Sequence, residues 1–204
     1  MNVVLIPNYT RPEMLTIMLE QLEKTVHFRS HYYLFTIDYG GLVKELTQVI
    51  NQFFERNQVA GSIYNIPKTP YTTTKQSFAI VSGYRKAIEL ENPEYVFLLE
   101  DDIMVANNFF HWHYTVHETN GIFCSIGTRN HNKMYPIIKR YEAAYKDSSY
   151  QSLGVCWPKT SLTYALSFFT DSYFINPVSY IKNTFPDSKI GFFLHIPAFH
   201  GMGQ

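Results

Sequence analysis

The sequence predicts an α/β fold with a mostly parallel central sheet and helices on both faces. Three observations lead there. Through the first 105 residues, short apolar runs of strand length alternate with longer segments of helical apolar spacing. The strand-like runs are bounded by prolines, glycines and polar turns rather than joined into hairpins. Polar residues also gather where those runs end, which is where such sheets bind ligands.

The elements follow in order. "NVVLIP" is a continuous apolar run closed by Pro7, as a buried strand should be. "RPEMLTIMLEQLEK" sets Met14, Leu15, Met18, Leu19 and Leu22 at helical spacing. Thr10 stands at the expected N-cap, with Pro12 and Glu13 in the first turn. "YYLFTID" is the second strand and "LVKELTQVINQFFERN" the second helix, and "VAGSIYNIP" is a weaker third strand. "QSFAIVSGYRKAIELEN" is a third helix stopped by Pro93, and "YVFLL" is the fourth strand. Beyond residue 105 the pattern loosens into α+β. "NNFFHWHYTVHE" reads as a helix, "GIFCSIG" and "SLGVCW" as strands, "PVSYIKNTF" as a short helix, and "IGFFLHIPAFHG" as a last apolar segment.

A length of 204 residues fits a single domain over 1–204 with a substantial core. Basic and acidic residues balance at 17 each, which argues against a strong positive field for non-specific nucleic-acid binding. The 32 Phe and Tyr with two Trp exclude a disordered chain and suit an enzyme or a protein that stacks on flat ligands. No apolar run reaches membrane-spanning length, and the first residues lack the basic flank of a signal peptide. Cys124 and Cys156 sit in apolar surroundings and read as reduced, buried thiols, so the expected location is cytoplasmic.

"YVFLLEDDIMV" carries the chemistry. Glu100, Asp101 and Asp102 follow a buried strand directly, and three adjacent carboxylates repel unless a cation compensates them. Mg²⁺ or Mn²⁺ is the natural compensator, because hard cations take oxygen ligands and share them with phosphates. A solvated turn is the alternative. Strand alternation puts Glu100 and Asp102 on one side and Asp101 on the other, unless the backbone turns sharply there. His113 and His117 share a helix face, but no zinc-protease glutamate or third ligand accompanies them.

Two motifs carry a family resemblance. "VVLIPNYTRPEMLTIMLEQL" resembles the opening of family 2 glycosyltransferases, with Thr10 where Asn is usual. "YRKAIELENPEYVFLLEDDIMVANNFF" resembles the acidic segment of GT-A glycosyltransferases, and is especially similar to the Glu-Asp-Asp form in N-acetylglucosaminyltransferase I-type enzymes. The resemblance covers residues 2 to 112 in order. It implies a Rossmann-like GT-A fold, with a nucleotide-binding half over 1–105 and an acceptor- and metal-completing half over 106–204. It also implies a metal-dependent, inverting transfer of a hexose or N-acetylhexosamine from a nucleotide sugar, a UDP-sugar being expected.

Carried over residue by residue, Asp102 binds the metal, while Glu100 and Asp101 face the nucleotide or metal-bound water. Pro7, Asn8 and Tyr9 line the base pocket and Arg11 approaches the nucleotide. Asp38 reads the base, with a plain turn before Gly40 and Gly41 as the alternative. His200 completes the metal or diphosphate site, whereas His195 reads as a core histidine. The general base is Asp171, with Asp147 second. The family's usual Glu-Asp pair is absent, since Thr170 precedes Asp171, and a helix N-cap is the competing reading of Asp171.

Trp157 is either an acceptor wall or a core residue. Arg129, Lys133, Lys139, Arg140 and Lys146, interleaved with Tyr135, Tyr141 and Tyr145, also admit DNA with a modified base as acceptor, beside a saccharide. The rival readings are a nucleotidyltransferase, which would need a Gly-rich opening loop that "PNYTR" lacks, and a non-catalytic nucleotide-sugar binder.

Overall fold

The computed structural model describes residues 1–72, 74–90, 92–120, 124–126 and 154–184. Four strands run parallel: β1 (Asn2–Asn8), β2 (His31–Ile37), β3 (Gly61–Asn65) and β4 (Tyr95–Leu98). Two short strands, β5 (Ser125–Ile126) and β6 (Val155–Pro158), complete the sheet, with β6 antiparallel to both β4 and β5. The order is β3-β2-β1-β4-β6-β5.

Side-chain alternation divides the central strands between two cores. Val4, Ile6, Phe35 and Phe97 face α1 (Pro12–Leu22), α2 (Val43–Asn57) and α4 (Phe109–Asn120), through Leu15, Leu19, Leu46, Ile50, Phe53 and Phe110. Val3, Leu5, Leu34, Val96 and Leu98 face α3 (Lys75–Glu89), α5 (Lys159–Leu166) and α6 (Asp171–Ile175), through Val81, Tyr84, Leu162, Tyr173 and Phe174. α7 (Pro177–Thr184) follows α6. Each such side chain contributes about 1.5–3 kcal/mol when fully buried. Part of the aromatic richness is spent here, since Tyr33, Phe35, Phe53, Phe97, Phe110, Tyr173 and Phe174 are all fully buried. Gly83 lets α3 lie close on the sheet, because a Cβ there would meet Leu5 Cδ1 at 2.9 Å.

The α/β class, the parallel strands and the two helical layers agree with the sequence expectation. Several details differ. Arg11, not Thr10, is the N-cap of α1, at φ −124° and ψ 62°. Pro12 at N1 disfavours helical geometry for the residue before it, so the helix starts one residue later than the Thr10 cap would require. Met14 is exposed while Leu15, Met18, Leu19 and Leu22 are buried. α3 ends at Glu89, short of Pro93. α5 and α6 lie where no helix was expected. Trp157 belongs to the core, 4% exposed, and donates from Nε1 to Tyr84 Oη at 3.1 Å.

Candidate functional site

The strand order reverses between β1 and β4. From β1 the chain builds outward through β2 and β3, then returns over α3 to place β4 on the other side of β1. Open α/β sheets bind ligands at such a switch point, beyond the carboxyl ends of the strands. The β1–β4 ladder pairs only Val3–Leu5 with Val96–Leu98, and Leu99 N–H to Leu5 O at 3.0 Å extends it by one bond. On its other flank β1 stays paired with β2 out to Asn8. Pro7 therefore turns its nitrogen toward a side where the ladder has ended, so its missing N–H breaks no bond there. The crevice opens at this point.

Across it, Arg11 forks onto two acids. Nη2 lies 2.5 Å from Asp101 Oδ1, and Nη1 lies 2.8 Å from Asp102 Oδ2. The alternation expected for residues 100–102 does not apply, because β4 ends at Leu98 and Ile103 N–H bonds back to Glu100 O at 3.2 Å. That turn aims both aspartates at Arg11. Their exposures differ sharply: the Asp101 side chain is 4% exposed and that of Asp102 37%. Burial pushes the Asp101 carboxyl above its usual range, with Asp102 adding to the rise and Arg11 opposing it. Glu100 is half-buried beside them.

A second cluster forms around the end of β2. Asp38 N–H bonds to Asn8 O, Gly41 N–H to Asp38 O and Leu42 N–H to Tyr9 O, at 2.8–3.0 Å, binding the turn after β1 to the turn after β2. Gly41 is required here, since a Cβ would meet Tyr9 O at 2.5 Å and Asp38 O at 3.0 Å. Lys75, the first residue of α3, reaches in. Its Nζ is 3.6 Å from Asp38 Oδ2, donates to Tyr39 O at 3.0 Å, and sits 4.6 Å from the centroid of the exposed Tyr9 ring. Burial raises the Asp38 carboxyl and Lys75 pulls against that rise. The buried Asn8 lies beneath. Its Nδ2 bonds to Ile6 O at 2.6 Å and Thr36 O at 3.2 Å, while its Oδ1 has no hydrogen-bond partner.

Asp171 opens α6 on the same rim, through the loop between β3 and α3. Its Oδ1 accepts a hydrogen bond from Tyr71 Oη at 2.8 Å. Tyr71 is held by stacking on Phe174 at 5.2 Å, and Thr74 Oγ1, bonded to Phe174 O at 2.7 Å, locks α6 to the start of α3. Thr170, not Asp171, is the N-cap residue of α6. The base candidate thus joins the side of the rim that carries Lys75 and Asp38.

The sequence reading missed Lys75 and Tyr71. Lys75 left a signal: a cation in the first turn of a helix opposes the helix dipole and needs a compensating partner. Tyr71 left none.

His113 and His117 serve the core. Ser125 Oγ lies 2.6 Å from His113 Nδ1 and 2.8 Å from His117 Nε2, and all three residues are buried. Among the described residues no cluster of three or more His, Cys, Asp or Glu side chains is arranged to hold a metal. Asp102, over a third exposed with the buried Asp101 carboxylate beside it, nevertheless presents hard oxygen donors at the switch point, which fit a cation that keeps waters and takes its other ligands from phosphate. Cys156 is buried and Cys124 half-buried, both free thiols. No helix among the described residues is long and apolar enough to cross a membrane. Asp147, His195, His200 and the basic, tyrosine-rich segment 129–146 lie outside the described residues.

No protein-family model matches the chain, and no curated protein matches it. Solved structures do. A mannosyltransferase from Pyrobaculum calidifontis, PcManGT, in complex with GDP-Man and Mn²⁺, superposes with a TM-score of 0.59 at 9% identity, over 78% of this chain and 44% of that one. TarS residues 1–349 from S. aureus superpose with a TM-score of 0.56 at 10% identity, over 88% of this chain and 55% of that one. The chain spans about half the length of these two structures. The fold is the GT-A fold of glycosyltransferases.

Proposed function

We propose that this chain transfers a sugar from a nucleotide-sugar donor to an acceptor hydroxyl, with a divalent cation at Asp102. The observation that carries the reading is the meeting of Arg11 with Asp101 and Asp102 across the switch point between β1 and β4. A GT-A fold with paired carboxylates at that crevice suits a nucleoside diphosphate sugar, and the GDP-Man and Mn²⁺ bound by PcManGT support the chemistry. UDP is the nucleotide we favour for this chain.

In this reading Asp38 accepts from an imide or amino N–H of the base, with Tyr9 beside the base plane. Lys75 holds Asp38 until the base arrives. Asp102 would hold Mn²⁺ or Mg²⁺, with Glu100 and Asp101 facing the nucleotide or metal-bound water and His200 completing the site. A cation there supplies positive charge against the charge growing on the departing phosphate. Asp171, exposed and hydrogen-bonded by Tyr71, takes the proton of the acceptor hydroxyl. The acceptor oxygen bonds to the anomeric carbon as the bond to the diphosphate breaks, and the configuration inverts. Asp147 is the second candidate for the base. The acceptor is a saccharide, or DNA with a modified base that residues 129–146 would contact.

Incubation with UDP-, GDP-, CDP- and TDP-sugars in Mn²⁺ tests this reading. Release of nucleoside diphosphate from one of them, lost in Asp102→Ala, is expected. No release from any donor, with or without a panel of sugar acceptors, counts against an enzyme and leaves a nucleotide-sugar binder.

A further inference from the structure

We propose that Arg11 is a built-in counter-ion that competes with a divalent cation for Asp102, and so sets how tightly the crevice takes metal. This rests on the functional reading above and adds a control to the same site. Arg11 places one nitrogen on each aspartate, and so engages the same Asp102 carboxylate that the functional reading gives to the cation. Carboxylates at this spacing need a positive partner, and the fork supplies one without any ligand.

The two arms are not equivalent. Asp101 is nearly sealed from solvent, so its bond to Arg11 Nη2 is shielded from water and salt. Asp102 is over a third exposed, so its bond to Nη1 is the one that a solvent-borne cation can replace. Arg11 itself is held at its backbone: it caps α1, and Leu15 N–H bonds to its carbonyl at 3.0 Å. Its side chain, half exposed, can therefore swing one nitrogen without moving the helix.

Metal alone must bind against a resident positive charge, and a neighbouring charge of that kind shifts ion binding by roughly 10- to 1000-fold, judged by its effect on protons. A diphosphate entering the crevice offers the released Nη1 a new anionic partner. Metal and nucleotide should then bind cooperatively, each raising the affinity of the other by the same factor.

Direct Mn²⁺ binding, followed by loss of the free-ion paramagnetic resonance signal, tests this without nucleotide or turnover. The chains are wild type, Arg11→Met, Arg11→Lys and the double variant Arg11→Met/Asp102→Asn. Arg11→Met should bind Mn²⁺ about ten-fold or more tightly than wild type, Arg11→Lys, which keeps the charge but has one nitrogen for two aspartates, should fall between them, and the double variant should lose the gain. UDP should raise Mn²⁺ affinity in wild type and do so less in Arg11→Met. Equal or weaker Mn²⁺ binding by Arg11→Met overturns the proposal, as does a gain that survives Asp102→Asn. If Arg11→Met fails to fold, Arg11→Gln removes the same charge, and tighter Mn²⁺ binding than wild type supports the proposal while equal or weaker binding overturns it. The functional reading fails separately: it falls if wild type shows no stabilisation by any nucleotide, whatever Mn²⁺ does.

Discussion

Arg11 Nη1, carried by the turn after β1, sits 2.8 Å from Asp102 Oδ2, carried by the turn after β4, although 91 positions separate the two residues. The pair spans the crevice at the reversal of strand order. It also removes the expectation that the acids repel one another unrelieved, since Arg11 already compensates them.

Asp102→Ala should leave the fold intact. An exposed ion pair is worth at most about 1 kcal/mol, and little repulsion remains to be relieved. Asp101→Ala should cost more, about 1–2 kcal/mol, because a nearly buried carboxylate loses a charge-assisted bond. Denaturant melts of the metal-free proteins check the order. A larger loss in Asp102→Ala than in Asp101→Ala would mean that burial does not separate their roles.

Asp38→Asn should weaken nucleotide binding about 10- to 100-fold, the scale of one charge-assisted hydrogen bond. Lys75→Met removes the resident partner of a carboxyl that burial already raises, so it should make Asp38 easier to protonate. Calorimetric titration of UDP across pH 5–8 reads both effects. Affinity in Lys75→Met should fall at the acid end sooner than in wild type, and superimposable pH profiles would remove Lys75 from the base pocket.

Asp171→Asn should keep donor binding and lose about 10²–10⁴-fold in transfer, the usual worth of a general base. Tyr71→Phe deletes the hydrogen bond that orients that carboxylate and should lower transfer while leaving donor affinity unchanged. Full turnover by Asp171→Asn would pass the role to Asp147 or to no side chain at all.

Acid should unfold this protein through two histidines. Burial pushes His31 down to about 4 and His113 down to about 3, so both stay neutral when folded. Unfolded, each takes a proton below about pH 6.5. Their contribution is complete above that pH and is lost as pH falls toward the folded values, at about 1.4 kcal/mol per pH unit for each group. Asp38 and Asp101, raised by burial, act in the opposite direction over the acid range. Melting temperature from pH 8 to pH 5 should fall less steeply in His113→Gln than in wild type, and an unchanged slope would contradict the assignment.

Much of this arrangement was legible before the structure. Apolar periodicity found β1, β2, β4 and α1 to α3, because each buries a full stripe or face, and it read the edge strand β3 as weaker, in keeping with its half-buried residues. It missed α5, whose only buried residues are Leu162 and Leu166 amid helix-neutral Ser and Thr, and α6, which is five residues long. Arg11, Asp38, Asp101 and Asp102 were all named, and topology brings them to one rim. Their pairing was not readable. Strand alternation would part Asp101 from Asp102, but the chain has already left the strand and turns sharply, which is the exception that reading allowed, and the Arg11 fork exists only because β4 returns beside β1.

The most direct test is calorimetric titration of UDP and GDP into the protein, each with Mn²⁺ and with EDTA, repeated on Asp102→Ala. UDP should bind in Mn²⁺ and more weakly in EDTA, and Asp102→Ala should abolish the difference. Equal affinity with and without Mn²⁺ in wild type, or a metal dependence that survives Asp102→Ala, would contradict it.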